Sequence, residues 1–231
     1  MKIHFKIAYF TFWGQRLLVT GNIPQLGNGD LSKALALNFQ YKEDWLGDID
    51  VTDVKSFNYK YVLLNENDGQ YFEEWGDERT CDLSLLHSDY VFCYDTWNSP
   101  SAIENTFLTA PFKNVLLRDE HEVSEPINNT KFTHVFKINA PFIPHNTVVC
   151  LVGDSDKTGN WSVNKPVLLN KSATGEWECK LDLSKLQHEL HYKYGLYDPE
   201  DNKFCNFESG SDRVSPVLNA KKSVVCIHDG F

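Results

Sequence analysis

Leu151-Val152-Gly153, then Thr158-Gly159-Asn160-Trp161, then Trp177-Glu178-Cys179-Lys180-Leu181-Asp182-Leu183, then Tyr192-Lys193-Tyr194 and Glu208-Ser209-Gly210-Ser211-Asp212-Arg213 form a series of short motifs that occurs twice in this chain. Val19-Thr20-Gly21, Leu26-Gly27-Asn28, Trp45-Leu46-Gly47-Asp48-Ile49-Asp50-Val51, Tyr59-Lys60-Tyr61 and then Glu74, Gly76 and Arg79 match it about 132 residues earlier. A period this long exceeds any solenoid unit and has the size of a small domain. The chain reads as two copies of one module.

Both copies consist of short alternating runs bounded by Gly, Pro, Asn and Asp. Residues 4–8, 16–20, 47–51, 58–64 and 70–72 read as strands in the first copy, and residues 133–139, 147–152, 176–183, 190–197 and 203–207 in the second. Asn67-Asp68-Gly69 and Asp198-Pro199-Glu200-Asp201-Asn202 supply hairpin turns between the last two strands of each set. No segment has the length and periodicity of a helix, so the fold class is all-β and the strand spacing suggests sandwiches. Residues 84–117, with Pro100, Pro111 and scattered aromatics, allow either further strands or an irregular segment packed between the modules. The polar stretch 119–130 is the natural linker, which places a first domain at 1–118 and a second at 131–231.

At 231 residues and 42% hydrophobic content the chain can fill two cores. The net charge of −10 argues against nucleic acid and anionic membranes, both of which need clustered Lys and Arg. Met1-Lys2-Ile3-His4-Phe5 lacks the features of a signal peptide, and no apolar run is long enough to span a bilayer, so the expected location is cytoplasmic. The six cysteines contain no Cys-x-x-Cys pair and are expected to be reduced. His188 and His191, three apart, would share a helix face, but no cysteine stands beside them at zinc-finger spacing, and neither metal nor cofactor is expected. The sequons at Asn128, Asn160 and Asn170 are expected to be unmodified.

Chemistry concentrates in the second copy. Trp161 follows a Gly-Asn turn, alternation puts Lys193 on the face opposite Tyr192 and Tyr194, and Phe207, Glu208 and Asp212 close a hairpin partner. A pyranose has an apolar C–H face that stacks on an aromatic ring, while its hydroxyls require donors and acceptors. The competing reading is a core Trp161 and a solvated Lys193.

The order Val-Gly, Gly-Asn-Trp, Trp-Glu, Tyr-Lys-Tyr and aromatic-Glu-Ser-Gly-x-Asp-Arg resembles the starch-binding domain of the family-20 carbohydrate-binding modules, over residues 136–215 and, less closely, 5–83. The resemblance implies two immunoglobulin-like antiparallel β-sandwich domains in tandem, each with up to two α-glucan sites. The family's first site falls on Trp161, Lys193, Phe207, Glu208 and Asp212, with Phe207 replacing a Trp and Asp212 an Asn. In the first copy Gly29, Glu73 and Glu78 stand at three of those positions, so that site should be weak or dead. The family's second site falls on Trp13 and, across a change of loop length, Tyr41, whereas the second copy has His145 and Thr174 there. Trp45 and Trp177 are expected in cores, and Trp75 and Trp97 at the interdomain contact.

Tandem modules of this kind, with the segment 95–117 between them, resemble the front end of the disproportionating type of 4-α-glucanotransferase, glycoside hydrolase family 77. The implied partners are an α-1,4-glucan or maltooligosaccharide and a catalytic barrel C-terminal to residue 231. The chain itself is not expected to be an enzyme, because two sandwiches leave no room for a barrel and the pairs Glu73-Glu74 and Asp154-Asp156 read as loop charges. The alternatives are a protein-interaction or domain-docking module with degenerate sugar sites, or an accessory region of a glucan phosphatase or kinase.

Overall fold

Alternation in the sequence becomes strand structure in the computed structural model, which describes residues 1–84, 86, 88–101, 103–109, 111–112, 131–140, 143–172, 175–216 and 222–230. The first copy forms β1 (Lys2–Ala8), β2 (Gln15–Gly21), β3 (Leu35–Ala36), β4 (Asn38–Phe39), β5 (Asp44–Asp50), β6 (Ser56–Asn65), β7 (Gln70–Glu73), β8 (Arg79–Asp82) and β9 (Tyr90–Thr96). The second forms β10 (His134–Ile138), β11 (Val148–Gly153), β12 (Val167–Leu168), β13 (Asn170–Lys171), β14 (Trp177–Leu181), β15 (Leu190–Asp198), β16 (Lys203–Phe207), β17 (Arg213–Ser215) and β18 (Ser223–Asp229). The helical elements among the described residues are short 3-10 turns, with Pro111 and Phe112 also helical, and no helix there is long and apolar enough to cross a membrane. The fold is all-β. The ten strands expected from alternation correspond to β1, β2, β5, β6, β7, β10, β11, β14, β15 and β16.

Each copy has the same layout. β1 pairs antiparallel with β5 and parallel with β9, and β10 pairs antiparallel with β14 and parallel with β18. The facing sheets are built on the antiparallel pairs β2–β6 and β11–β15. The two copies then join. β9 and β18 pair in parallel, with Val91 opposite Val224, Cys93 opposite Cys226 and Asp95 opposite His228, giving one eight-stranded sheet in the order β13-β14-β10-β18-β9-β1-β5-β4.

Because successive side chains point to opposite faces, the joined strands serve both cores. Val224 and Cys226 lie in the first core with Val91 and Cys93, and Val225 and Ile227 lie in the second. Phe92 and Tyr94 of β9 pack against that second core. The facing sheets therefore cover opposite faces of the shared one.

The expectation for residues 84–117 is met in part by β9, and Trp97 packs tilted against Tyr9, ring centroids 4.7 Å apart, within the first core, where an interdomain position was expected for it. Trp45 and Trp177 are buried in their cores as expected. The linker stretch 119–130 and Thr174 lie outside the described residues. All six cysteines are free thiols, and only Cys205 is exposed. His191 lies in β15, so the helix face imagined for it and His188 does not form.

Candidate functional site

The turn that carries Trp161 is built locally. Ser155 and Thr158 cap one another, Thr158 N–H and Asn160 N–H both donate to the Ser155 carbonyl, and Trp161 N–H donates to the Gly153 carbonyl at 2.7 Å. Gly159 (φ 83°), Asn160 (φ 49°) and Trp161 (φ 61°) are all left-handed. Gly159 is required here, since a Cβ would come within 2.5 Å of the Lys165 carbonyl oxygen. The result presents an indole that is 37% exposed.

Beside it runs β15, whose Tyr192 and Tyr194 are buried and whose Lys193 points outward. Lys193 Nζ donates to the Gly210 carbonyl at 2.7 Å and lies 4.0 Å from Asp212 Oδ1. Phe207 pairs across the strands with Gly195, rests on Phe204 at 4.6 Å and is 37% exposed. The structure thus gathers the Trp161 turn, Lys193, Phe207 and Asp212 around the β11–β15–β16 sheet.

Glu208, expected to accept from the sugar, is engaged by the protein itself. Its Oε1 accepts from the Tyr194 backbone N–H and Arg213 Nε, both at 2.9 Å, and its Oε2 accepts from Arg213 Nη2 at 2.7 Å. Glu74 does the same in the first copy, accepting from the Tyr61 N–H at 2.9 Å and from Arg79, and it is fully buried. The Glu74 half of the expected loop pair Glu73-Glu74 is therefore a core carboxylate. Each pair leads into a network: Tyr59 and Tyr61 donate to Asp95, and Tyr192 and Tyr194 donate to Asp229. The first network also takes in the other copy, because His228 Nδ1 lies 2.7 Å from Asp95 Oδ1. Burial alone would raise the Asp95 carboxyl; His228, Arg79 and Tyr61 outweigh it and hold it below the usual range. Asp229, which has Arg213 but no such histidine, is pushed up by burial.

In the first copy the same turn forms without its ring. Gly27 (φ 83°), Asn28 (φ 51°) and Gly29 (φ 82°) repeat the Gly159-Asn160-Trp161 backbone, and Gly29 stands where Trp161 does. Lys60 pairs with Glu73 at 3.4 Å.

At the other end, Trp13 is 100% exposed on the turn closed by Gln15 N–H to the Phe12 carbonyl. A cleft of about 610 Å3 there is lined by Trp13, Arg16, Asn38, Phe39 and Glu66. Tyr41, 80% exposed, does not line that cleft, whereas Phe39, 57% exposed and edge-on to Trp45 at 5.4 Å, does. While Trp45, also in the wall, is buried, the other exposed ring there is Phe39, which the sequence did not single out. Its place in β4, a two-residue strand against β5, carries no alternation signal. Among the described residues no group of three or more His, Cys, Asp or Glu side chains could hold a metal ion.

The Starch binding domain family, CBM_20, matches residues 1–90 and 131–227. The chain belongs to that family. It carries two starch-binding domains, and the alignment explains why the turn, the Tyr-x-Tyr strand and the Glu–Arg pair occur twice. The chain is also similar to the 4-alpha-glucanotransferase DPE2 of Oryza sativa subsp. japonica, 26% identical over 204 residues that make up 82% of this chain and 21% of that protein. It thus spans about a fifth of the length of that curated relative. Among solved structures, the glucoamylase of Hormoconis resinae is 27% identical over 44% of this chain and 18% of that one (TM-score 0.38). The family 20 module of the maltotetraose-forming amylase from Pseudomonas saccharophila STB07 is 21% identical over 41% of this chain and 97% of that one (TM-score 0.34).

Proposed function

We propose that this chain binds α-1,4-glucan without catalysis, through Trp161, Phe207, Lys193 and Asp212 in the second domain and through Trp13 and Phe39 in the first, with Tyr41 at the margin. One observation carries the reading: Trp161 is held at φ 61° with its ring exposed. A bulky side chain in that region costs of order 1–3 kcal/mol, and such strain collects at ligand sites. Lys193 and Asp212 beside the ring can meet sugar hydroxyls, while Glu208 positions Arg213 and the strand end. The similarity to a 4-alpha-glucanotransferase supports a role in which the domains hold glucan near a catalytic barrel that follows residue 231. Stacking platforms bind the ground state of the sugar, so they lower the KM for polymer without raising kcat.

Titration calorimetry with a cyclic maltooligosaccharide tests the reading. A dissociation constant of about 10 µM to 1 mM is expected, and Trp161→Ala should weaken it at least ~10-fold, about 1.4 kcal/mol. Unchanged affinity in that variant overturns the site. A docking role for the first domain is favoured by Gly29 and by the Lys60–Glu73 pair, which remove its first-type sugar site; calorimetry on a Trp161→Ala, Trp13→Ala chain decides how much binding the first domain contributes.

A further inference from the structure

Joining the sandwiches through β9 and β18 leaves a cleft of about 360 Å3 where the two domains meet, with Asn58, Glu78 and Asn98 from the first domain and Lys137, Asn139 and His228 from the second in its walls. It is distinct from both aromatic sites and has no aromatic platform. Apart from Glu78, the charged groups in its wall have partners within the protein. Lys137 donates to the Thr80 carbonyl at 3.0 Å and lies 3.9 Å from Glu176, while His228 lies against Asp95. Glu78 alone, exposed to solvent, is too little charge to hold an ion, and no apolar side chain lines the cleft for an apolar ligand.

Neutral hydrogen-bonding capacity is what remains. Asn58 accepts from the Thr80 hydroxyl through Oδ1 at 3.0 Å, which leaves its NH2 group. Asn98 and Asn139 offer side-chain amides, and Glu78 a carboxylate, that make no hydrogen bond to the described residues. His228 Nε2 is buried and makes no hydrogen bond to the described residues. A carboxamide presents two donors and two lone pairs, and a hydroxyl is both donor and acceptor. Vicinal hydroxyls therefore complement this wall better than any charged or apolar group does. The volume is at the small end of the ~300–1,000 Å3 typical of ligand sites, enough for roughly one or two hexose units.

We propose that the cleft between the two domains is a further carbohydrate site, which takes one or two terminal units of a short α-glucan through Asn58, Asn98, Asn139 and Glu78. The choice of α-glucan rests on the glucan reading of the aromatic sites, since the same polymer supplies the ends. Such a sugar exchanges its hydrogen bonds for those of displaced water and gains no stacking. The site is accordingly weak, with a dissociation constant of about 1–10 mM.

The test is a maltose titration of the whole chain, followed by NMR of the side-chain amides, in the parent and in a Trp13→Ala, Trp161→Ala double variant. The amides of Asn58, Asn98 and Asn139 should shift saturably in both, and a cyclic dextrin, too wide for the cleft, should not shift them in the double variant. Adding Asn139→Ala to the double variant should weaken the remaining binding at least fivefold with the thermal midpoint unchanged. If that variant does not fold, Glu78→Gln, at an exposed position, should weaken it at least threefold. Silent amides in a double variant whose parent still binds maltose overturn the cleft site and leave the aromatic sites standing. A parent that binds no glucan removes the glucan reading itself. Equal shifts with myo-inositol show unselective polyol binding and overturn the α-glucan assignment.

Discussion

Gly29 and Trp161 share one backbone and differ in the ring, so the first domain is missing a platform and keeps the frame for it. A Cβ at Gly29 would meet nothing within 4 Å. The left-handed conformation costs a non-glycine residue about 1–2 kcal/mol, a strain that Trp161 already bears. In a chain disabled by Trp161→Ala, the pair Gly29→Trp and Glu73→Phe should restore stacking and free Lys60, raising affinity for a cyclic dextrin at least ~5-fold, about 1 kcal/mol. Calorimetry showing no gain would mean that the turn frame alone does not make the site. The acids behave differently from the rings. Glu74 and Glu208 look like sugar acceptors in a motif, yet both hold an arginine and a strand N–H. Sequence spacing gives the position of a carboxylate and says nothing of which donor reaches it first. Glu74→Ala, which strands a buried Arg79, should cost about 3–5 kcal/mol of stability, read as a lowered denaturation midpoint, and Glu208→Ala, nearer solvent, should cost less.

Among the elements, those that lie at a surface were legible and those that join the domains were not. β6 and β15 alternate apolar and polar side chains because only one face is buried, and their turns follow from Asn67-Asp68-Gly69 and Asp198-Pro199. β18 is buried on both faces, reads Val224-Val225-Cys226-Ile227, and so shows no alternation to find. Phe39 was missed for the opposite reason, since a two-residue strand has no period. β10, next to β18, carries a titration that can be measured. Burial pushes the His134 imidazole down to about 4 from 6.5, partly offset by the Pro216 carbonyl and Asp182. Between those values the unfolded chain holds the extra proton. Stability is then fully present above about pH 6.5 and is lost as pH falls towards 4, by about 2 kcal/mol at pH 5. Urea denaturation at pH 7.5 and 5 should show that loss, and His134→Gln should flatten this part of it. An identical slope in the variant would assign the proton uptake to other groups.

At the scale of the whole molecule, the shared sheet makes folding a property of both domains at once. Val224 and Cys226 of the second copy sit in the first core, Phe92 and Tyr94 of the first copy pack on the second, and the Asp95 carboxylate in the first network faces His228 from the second. Separating the copies would expose two long unpaired strand edges, β9 and β18, with apolar side chains on both faces. It would also leave the buried Asp95 without one of the groups that keep it ionised. Neither loss can be confined to one domain. The chain should therefore unfold in a single transition, with calorimetric and van't Hoff enthalpies equal for all 231 residues. Asp95→Leu should lower the midpoint of that one transition, and the tryptophan signals from Trp97 in the first core and Trp177 in the second should move together. Two resolved transitions, one for each tryptophan, would show that the β9–β18 seam contributes little and that the domains fold alone.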